Sequence, residues 1–250
     1  MIARIFSYLL IVTLFLAVES IVSADDVECP IIADTVLCGH SSEKDMNCGG
    51  RGILRVKGYQ GVVVYRFDMS ALEGQRIEGA TLSLYCVSIS GDAVGKSFSE
   101  GISTIAHDWV EGTGDYTVSD DSATFLWPGG DLGDTWGKDE NDGQSRYGQV
   151  DVLDVINGNG GSIVNSQPIW DFVVTEWTDI ELDAELVQSL VDGEQYGIVI
   201  WRDTVGVNLD LAAREQEMFV PKLIVHTGFS RTVDVSGKLV STWGTLKAMR

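Results

Sequence analysis

The sequence predicts an all-β protein, an antiparallel β-sandwich with one or two short helices. Most of the chain consists of short runs rich in Val, Ile, Thr and aromatic residues, bounded by Gly, Asp, Asn and Ser. Only one segment within this strand-rich part shows clear helical periodicity. Many strands with so little helix favour two packed antiparallel sheets over the other fold classes.

The first strand-like runs lie at 52–58, 62–69 and 80–89. In the third run, residues 82, 84 and 86 are apolar and alternate with residues that carry polar groups, which predicts one buried face and one outward face. Asp68 and Ser70 end the second run, where their oxygens can accept hydrogen bonds from the backbone N–H groups of a turn. We therefore interpret Asp68 as a turn-forming residue rather than a nucleophile.

The later strand-like runs lie at 102–110, 170–182, 196–203 and 221–228. Ahead of the third of these, apolar residues recur at helical spacing, at positions 186, 187, 190 and 191. This spacing predicts a short helix that Asp183 caps and Gly193 ends.

The segment from Asp115 to Ser166 is heavy in Gly and Asp, and it predicts long loops with one or two strands embedded. An aromatic face on a rigid loop can stack on the apolar face of a sugar ring. The candidate ligand-binding residues are Trp127, Trp136, Tyr116 and Tyr147. In the alternative interpretation, these side chains pin the loop to the sandwich. Three tryptophans in strand-like runs are predicted to be core residues: Trp170, Trp177 and Trp201.

The N-terminus has the three-part pattern of a secretory signal peptide, with Arg4, an apolar run and a small-residue site that ends at Ala24. We predict a signal peptide at 1–24, one β-sandwich domain at 25–227 and a basic, amphipathic tail at 228–250. The apolar run is short for a membrane span, so no transmembrane segment is expected after signal removal. The mature protein is expected to be secreted, extracellular or on the cell surface.

The chain has four cysteines, and an even number in an exported protein predicts two disulfides. Three pairings are possible. We favour Cys38 with Cys48, closing a short polar loop, and Cys29 with Cys86, tying the N-terminal segment to a strand. A zinc site is disfavoured, because there is no C-x-x-C pair and the three histidines are scattered.

Charge and motifs exclude several functions. The formal net charge is −20, so a nucleic-acid partner is disfavoured by repulsion from phosphate. Gly39 to Glu43 begins like a nucleophile elbow, but Glu43 replaces its final glycine. No carboxylate pair is singled out for glycoside hydrolysis, so we predict a non-enzyme. A polysaccharide hydrolase or lyase is the alternative, resting only on abundant carboxylates.

Several motifs occur in a characteristic order. They are "ADTVL" at 33–37, "NCGGRGILRVKG" at 47–58, "VYRFDMSALEGQRIEGATLSLYCV" at 64–87, "DWVEGTGD" at 108–115, "ELVQSLVDGEQYGIVI" at 185–200 and "AREQEMFVPKLIVHT" at 213–227. Together they resemble the secreted DNRLRE-type domain, related to disaggregatase-related repeats and to a carbohydrate-binding module family of alginate-degrading enzymes. Two features depart from that pattern: Ala213 stands where a serine is common, and the cysteine-bearing insertion is atypical.

The resemblance implies a jelly-roll β-sandwich that carries a structural calcium ion where the first and last strands meet. Carried over by position, the candidate ligands are Asp34, Asn47 and Glu215. In the alternative, Asp34 and Glu215 make strand-end hydrogen bonds, with Glu215 pairing with Arg66.

The function expected from these observations is a secreted, non-catalytic binding module, with polysaccharide as its ligand. The alternative is a structural or adhesive protein of the cell surface or extracellular matrix, attached to a cell-surface component through its C-terminal tail. The sequence leaves the glycan and the oligomeric state open.

Overall fold

The structure is a computed structural model that describes residues 25–91, 99–133, 136, 161–170, 172–202 and 207–228. These residues form thirteen strands and one α-helix. The elements are β1 (Asp26–Cys29), β2 (Ile31–Leu37), β3 (Met46–Asn47), β4 (Ile53–Val56), β5 (Val62–Phe67), β6 (Ile77–Gly91), β7 (Ser99–Thr104), β8 (Thr117–Val118), β9 (Ile169–Trp170), β10 (Trp177–Leu182), α1 (Ala184–Val191), β11 (Ile198–Trp201), β12 (Val207–Ala212) and β13 (Lys222–Thr227).

The strands form two antiparallel sheets and a small ribbon. The six-stranded sheet has the order β1-β13-β6-β12-β4, with β10 on the other side of β6. The five-stranded sheet has the order β2-β5-β11-β7-β9, and β3 pairs with β8 in the ribbon. From β4 to β12, apart from β8 of the ribbon and the short edge strand β9, successive strands alternate between the two sheets, which is the connectivity of a jelly roll. The predicted all-β, jelly-roll sandwich is confirmed.

Strand β6 shows why the sandwich forms. Leu82 and Leu84 point inward and are fully buried, whereas Ser83 and Tyr85 point outward and are half-exposed. Burial of apolar side chains from both sheets is the main stabilising term of such a core. The alternation predicted for this strand is confirmed.

Strand β12 was not anticipated from the sequence, because Asn and Asp are depleted in strands. Its residues Leu209 and Leu211 are buried, and Asp210 on its other face accepts two hydrogen bonds from Arg55 of β4, at 2.7 and 3.1 Å. The charge of Asp210 is therefore paired across the sheet, which offsets the low strand propensity of aspartate.

The helix α1 packs on β6 through Leu186 and Val187. Gly193 ends it with a φ of 73°, as predicted. Asp183 holds the N-cap position but does not cap, since its carboxylate instead accepts hydrogen bonds from the backbone N–H and the hydroxyl of Ser166. Across the residues described, no helix has the length and apolar character needed to cross a membrane.

The turn after β5 forms as the sequence predicts. Asp68 Oδ1 accepts a hydrogen bond from the Ser70 N–H at 2.9 Å. Gly74 then adopts a φ of 73°, a conformation that side chains with a Cβ rarely adopt. The predicted structural role of Asp68 is therefore confirmed.

A second apolar cluster lies on the outer face of the five-stranded sheet. The covering loop, which we define as residues 105–133 together with Trp136, packs Trp109, Phe125 and Trp136 against Val62, Val64 and Val199 of that sheet. This face is therefore buried beneath a loop, whereas the outer face of the six-stranded sheet has no such layer within the described chain.

The four cysteines are buried free thiols in the structure. Cys38 and Cys48 lie close together, with their Sγ atoms 3.7 Å apart, which exceeds the S–S bond length of about 2.05 Å. No disulfide is formed between them here, and their pairing stays a prediction.

The predicted bond between Cys29 and Cys86 is wrong. Cys29 is opposite Leu223 in β13, and Leu223 is opposite Leu82 in β6. Cys86 therefore lies two strands away and four residues along, roughly 16 Å by the spacings of a sheet. A disulfide requires Cα atoms within about 7 Å.

The two ends of the described domain pair with each other. β1 runs antiparallel to β13, with Asp26 opposite His226. Beyond that pair, the Thr227 N–H donates to the Asp25 carbonyl at 3.1 Å. The boundaries predicted at 24 and 228 stay predictions, because residues 1–24 and 229–250 lie outside the described residues.

Candidate functional site

An acidic cluster lies at the edge of the sandwich, where one end of each sheet meets the covering loop. Asp34 comes from β2, Glu111 from the covering loop and Glu215 from the segment after β12. One carboxylate oxygen of each residue lies within 4.8 Å of the others. Oxygens at this spacing are suited to a hard cation such as Ca²⁺.

Asp34 is the buried member of the cluster, with 0% of its surface exposed. Its side chain points inward because Asp34 is opposite Tyr65, whose ring is buried in the core. Asp34 Oδ2 accepts a hydrogen bond from the Arg214 N–H at 2.7 Å, whereas Oδ1 is buried with no partner in the described part of the chain. Burial raises the pKa of Asp34 to about 7, and the nearby carboxylates of Glu215 and Glu111 contribute to the rise.

Arg214 and Glu111 connect the cluster to the covering loop. Glu111 Oε1 accepts from the Asp34 N–H at 2.6 Å, and Glu111 Oε2 accepts from Arg214 Nη2 at 2.7 Å. The same Nη2 lies 3.3 Å from Glu215 Oε1. Burial raises the pKa of Glu111, although the hydrogen bond from Asp34 and the charge of Arg214 oppose the rise. The Arg214 guanidinium thus contacts two carboxyl groups, and the backbone N–H of the same residue donates to the third.

Of the three predicted ligands, Asp34 and Glu215 meet in the acidic cluster. Asn47 uses all four of its hydrogen-bonding positions within the protein, so calcium ligation by this set stays a prediction. Its Nδ2 donates to the carbonyls of Glu111 and Ala123 at 2.6 and 2.9 Å, and its Oδ1 accepts from Gly49 and Gly114 at 3.2 and 2.8 Å. Asn47 shapes the covering loop, and the third carboxylate of the acidic cluster is Glu111.

Glu111 was missed by reasoning from the sequence. It lies in "DWVEGTGD", a motif that had been singled out, but nothing local connects it to Asp34, 77 positions earlier. The alternative pairing of Glu215 with Arg66 is wrong, because Arg66 pairs with Asp108 and Glu215 pairs with Arg214.

The predicted sugar-stacking residues are not assembled into a platform. Trp136 is only 2% exposed, and its Nε1 donates to the Thr124 carbonyl at 3.1 Å, so it pins the covering loop and cannot stack on a ligand. Trp127 is half-buried in the same loop. Tyr116 lies beneath the Arg51 guanidinium, 4.2 Å from its ring centre. Tyr147 lies outside the described residues.

A different group of aromatic side chains is accessible, on the outer face of the six-stranded sheet. We call it the aromatic row: Tyr85 of β6, Phe219 before β13 and Trp177 of β10. The Tyr85 and Phe219 rings stack with centroids 3.9 Å apart, and Trp177 meets Tyr85 edge-on at 5.5 Å. Trp177 is 38% exposed, so its predicted place in the core is wrong.

The register explains this exposure, since Trp177 is opposite Tyr85 and therefore shares its outward face. Exposed apolar residues lie near the row in the sequence. Val173 and Val174 precede Trp177, and Met218, which is 79% exposed, precedes Phe219. Lys222 Nζ lies 5.3 Å from the centre of the Trp177 ring. The row is therefore a contiguous aromatic surface flanked by a cation.

Comparison with known proteins adds no identification. No family model matches the chain, and no curated protein resembles it closely enough to count as a match. The resemblance to the DNRLRE-type domain therefore rests on the quoted motifs.

Proposed function

We propose that this protein is an extracellular, non-catalytic module that binds polysaccharide through the aromatic row. The observation that carries the proposal is the exposed ring of Trp177 in contact with the half-buried, mutually stacked rings of Tyr85 and Phe219 on the outer face of the six-stranded sheet. Exposed apolar patches of this kind mark interaction sites on soluble proteins. Sugar rings suit them, because each ring has an apolar face that stacks on an aromatic side chain.

Polar groups on the same face complement the hydroxyl groups of a polysaccharide. Ser83 lies next to the row and its hydroxyl donates to Asp179 Oδ1 at 2.5 Å, while Lys222 is opposite Ser83 in the neighbouring strand. An extended polymer can cross several strands of an open sheet and use both kinds of contact. The net charge of −20 favours a neutral polymer over an anionic one.

The proposal includes one structural divalent cation, calcium by ligand chemistry, at Asp34, Glu111 and Glu215. The buried, unpartnered Oδ1 of Asp34 supports it, because a carboxylate oxygen without a partner is costly unless something neutralises it. A cation here would fasten the covering loop to both sheets. Membership in the DNRLRE-type family is part of the same proposal, supported by the jelly-roll connectivity and the meeting of Asp34 with Glu215.

The test is retention of the mature protein on insoluble polysaccharides, with neutral and anionic polymers compared in calcium and in EDTA. We expect retention on a neutral polymer, lost in the double variant Trp177→Ala/Phe219→Ala. Val118→Ala is the matched control, since Val118 is exposed but lies in the β3–β8 ribbon. Unchanged retention of the double variant, or no retention on any polymer, would refute the proposal.

The alternative function, attachment to a surface through the C-terminal tail, stays a prediction because residues 229–250 lie outside the described residues. Retention that depends on the tail and not on the aromatic row would favour it.

A further inference from the structure

We propose that a pocket next to Tyr196 is a second carbohydrate site, which binds one end of a neutral saccharide. The inference rests on the proposed function for its class of ligand, but it concerns a different surface from the aromatic row. The pocket has a volume of about 320 Å³ and lies between β5 and the segment that leads into β11. Its lining includes Ile32, Arg66, Asp68, Asp108, Gln195 and Tyr196.

The guanidinium of Arg66 is fixed on the wall of this pocket. Its Nε donates to the Tyr196 carbonyl at 3.2 Å, and its Nη2 donates to the Trp109 carbonyl at 3.0 Å and to Asp108 Oδ1. The guanidinium also lies over the Trp109 ring, 4.6 Å from the ring centre. A group held by so many contacts loses little conformational entropy on binding a ligand.

An unused donor and an unused acceptor remain on the Arg66–Asp108 pair. Within the described chain, Arg66 Nη1 makes no hydrogen bond, and Asp108 Oδ2 makes none because both bonds to that carboxylate end on Oδ1. Two adjacent hydroxyl groups on a sugar ring match this pair, since one can accept from Arg66 while the other donates to Asp108.

Apolar and electrostatic features restrict the ligand further. Tyr196 is 37% exposed and Ile32 is also exposed at the mouth, so the pocket offers an apolar wall for the face of a sugar ring. Asp68 and Asp108 are acidic groups beside the single Arg66, and hydrogen bonds from Ser70 lower the pKa of Asp68, which keeps it charged. An anionic sugar would be repelled.

The pocket is assembled independently of the aromatic row. Trp109 Nε1 donates to the Tyr196 carbonyl at 3.1 Å, so the covering loop holds the Tyr196 segment in place. The row lies on the outer face of the other sheet. A variant in one site is therefore expected to leave the other site intact.

Saturation-transfer NMR with soluble disaccharides tests the proposal. The neutral probes are cellobiose, maltose, mannobiose and N,N′-diacetylchitobiose, and digalacturonate is the anionic comparison. We expect at least one neutral probe to bind, with affinity reduced about tenfold or more in Tyr196→Ala and in Asp108→Asn. Tyr196→Phe is the matched control and keeps binding, because it retains the ring.

The outcomes separate the two sites. The pocket is supported if disaccharide binding survives in Trp177→Ala/Phe219→Ala and is lost in folded Tyr196→Ala. This result supports the pocket whether or not the protein is retained on a polymer. No binding of any neutral probe, tighter binding of digalacturonate, or unchanged binding in both Tyr196→Ala and Asp108→Asn would overturn it. Thermal unfolding of each variant confirms that it is folded.

Discussion

The two outer faces of the sandwich use tryptophan in opposite ways. On the five-stranded sheet, Trp109 and Trp136 of the covering loop pack against the sheet and form part of a second core. On the six-stranded sheet, Trp177 lies in the open beside Tyr85 and Phe219. The tryptophans of the covering loop are thus packing elements, whereas Trp177 of β10 is accessible. The role of each tryptophan therefore depends on whether a loop covers its face of the sandwich.

The largest loss of stability is expected from a substitution on the outer face of the five-stranded sheet, which the covering loop buries. Trp136→Ala removes a buried indole and its hydrogen bond to Thr124, which we expect to lower the free energy of unfolding by about 3–5 kcal/mol. Urea denaturation followed by fluorescence measures it. A loss below about 1 kcal/mol would mean that the covering loop does not depend on this side chain.

A second effect concerns the carboxylate that holds the covering loop at its edge. The native pKa of Asp34, about 7, exceeds the unfolded value of about 3.9, so the native state keeps a proton that the unfolded chain releases. In EDTA, stability is therefore expected to fall as pH rises from about 4 to 7, by up to about 4 kcal/mol.

Asp34→Asn should remove this slope, because its amide can still accept from the Arg214 N–H without titrating. Urea unfolding of both proteins in EDTA at pH 5 and pH 8 tests this. Equal slopes for the two proteins would contradict it. With calcium present, we expect the parent to regain stability at the higher pH, because a bound cation favours the ionised carboxylate.

A smaller loss of stability is expected at Glu111, the residue that the covering loop contributes to the acidic cluster. Glu111→Gln weakens the pair with Arg214, which is partly exposed, so we expect a loss of about 1–2 kcal/mol. Calcium affinity, measured by titration calorimetry, should fall about tenfold. Asp115→Asn is the matched control, since Asp115 is an exposed acidic residue of the same loop that pairs with Arg51 instead. An equal loss of affinity in both variants would place the cation elsewhere.

The smallest effect on stability is expected on the open face. Trp177→Ala should change the free energy of unfolding by less than about 1 kcal/mol while it abolishes polysaccharide retention. Chemical denaturation and the retention assay are read on the same preparation. If Trp177→Ala destabilised the protein as much as Trp136→Ala, Trp177 would be a packing residue and the two outer faces would not differ in their use of tryptophan.

Local patterns account for the parts of the fold that the sequence predicted correctly. The alternation in β6, the turn at Asp68 and the helix that ends at Gly193 depend on neighbours within a few residues. Tertiary pairing explains the failures. Asp183 was drawn away from its helix by Ser166, and β12 tolerates Asp210 because Arg55 and Ser88 lie opposite it on the two neighbouring strands and donate to its carboxylate.

The candidate site was less predictable than the fold. Asp34 and Glu215 were placed together by resemblance, whereas Glu111 joins them across the covering loop. The accessibility of Trp177 and the burial of Trp136 depend on which sheet face that loop covers, and no local pattern encodes this choice. One signal of an outward side chain was available in "WTDIEL", where Trp177 shares its face of the strand with the acidic residues Asp179 and Glu181.

The antiparallel pairing of β1 with β13 determines how the domain responds to mechanical load. Because Asp25 and Thr227 are adjacent, chain extending from either end emerges at the same corner of the sandwich. Force applied between those two points would open the ladder one hydrogen bond at a time, from Asp26–His226 toward Cys29–Leu223. The described domain is thus a weak link when it is pulled between its own two ends.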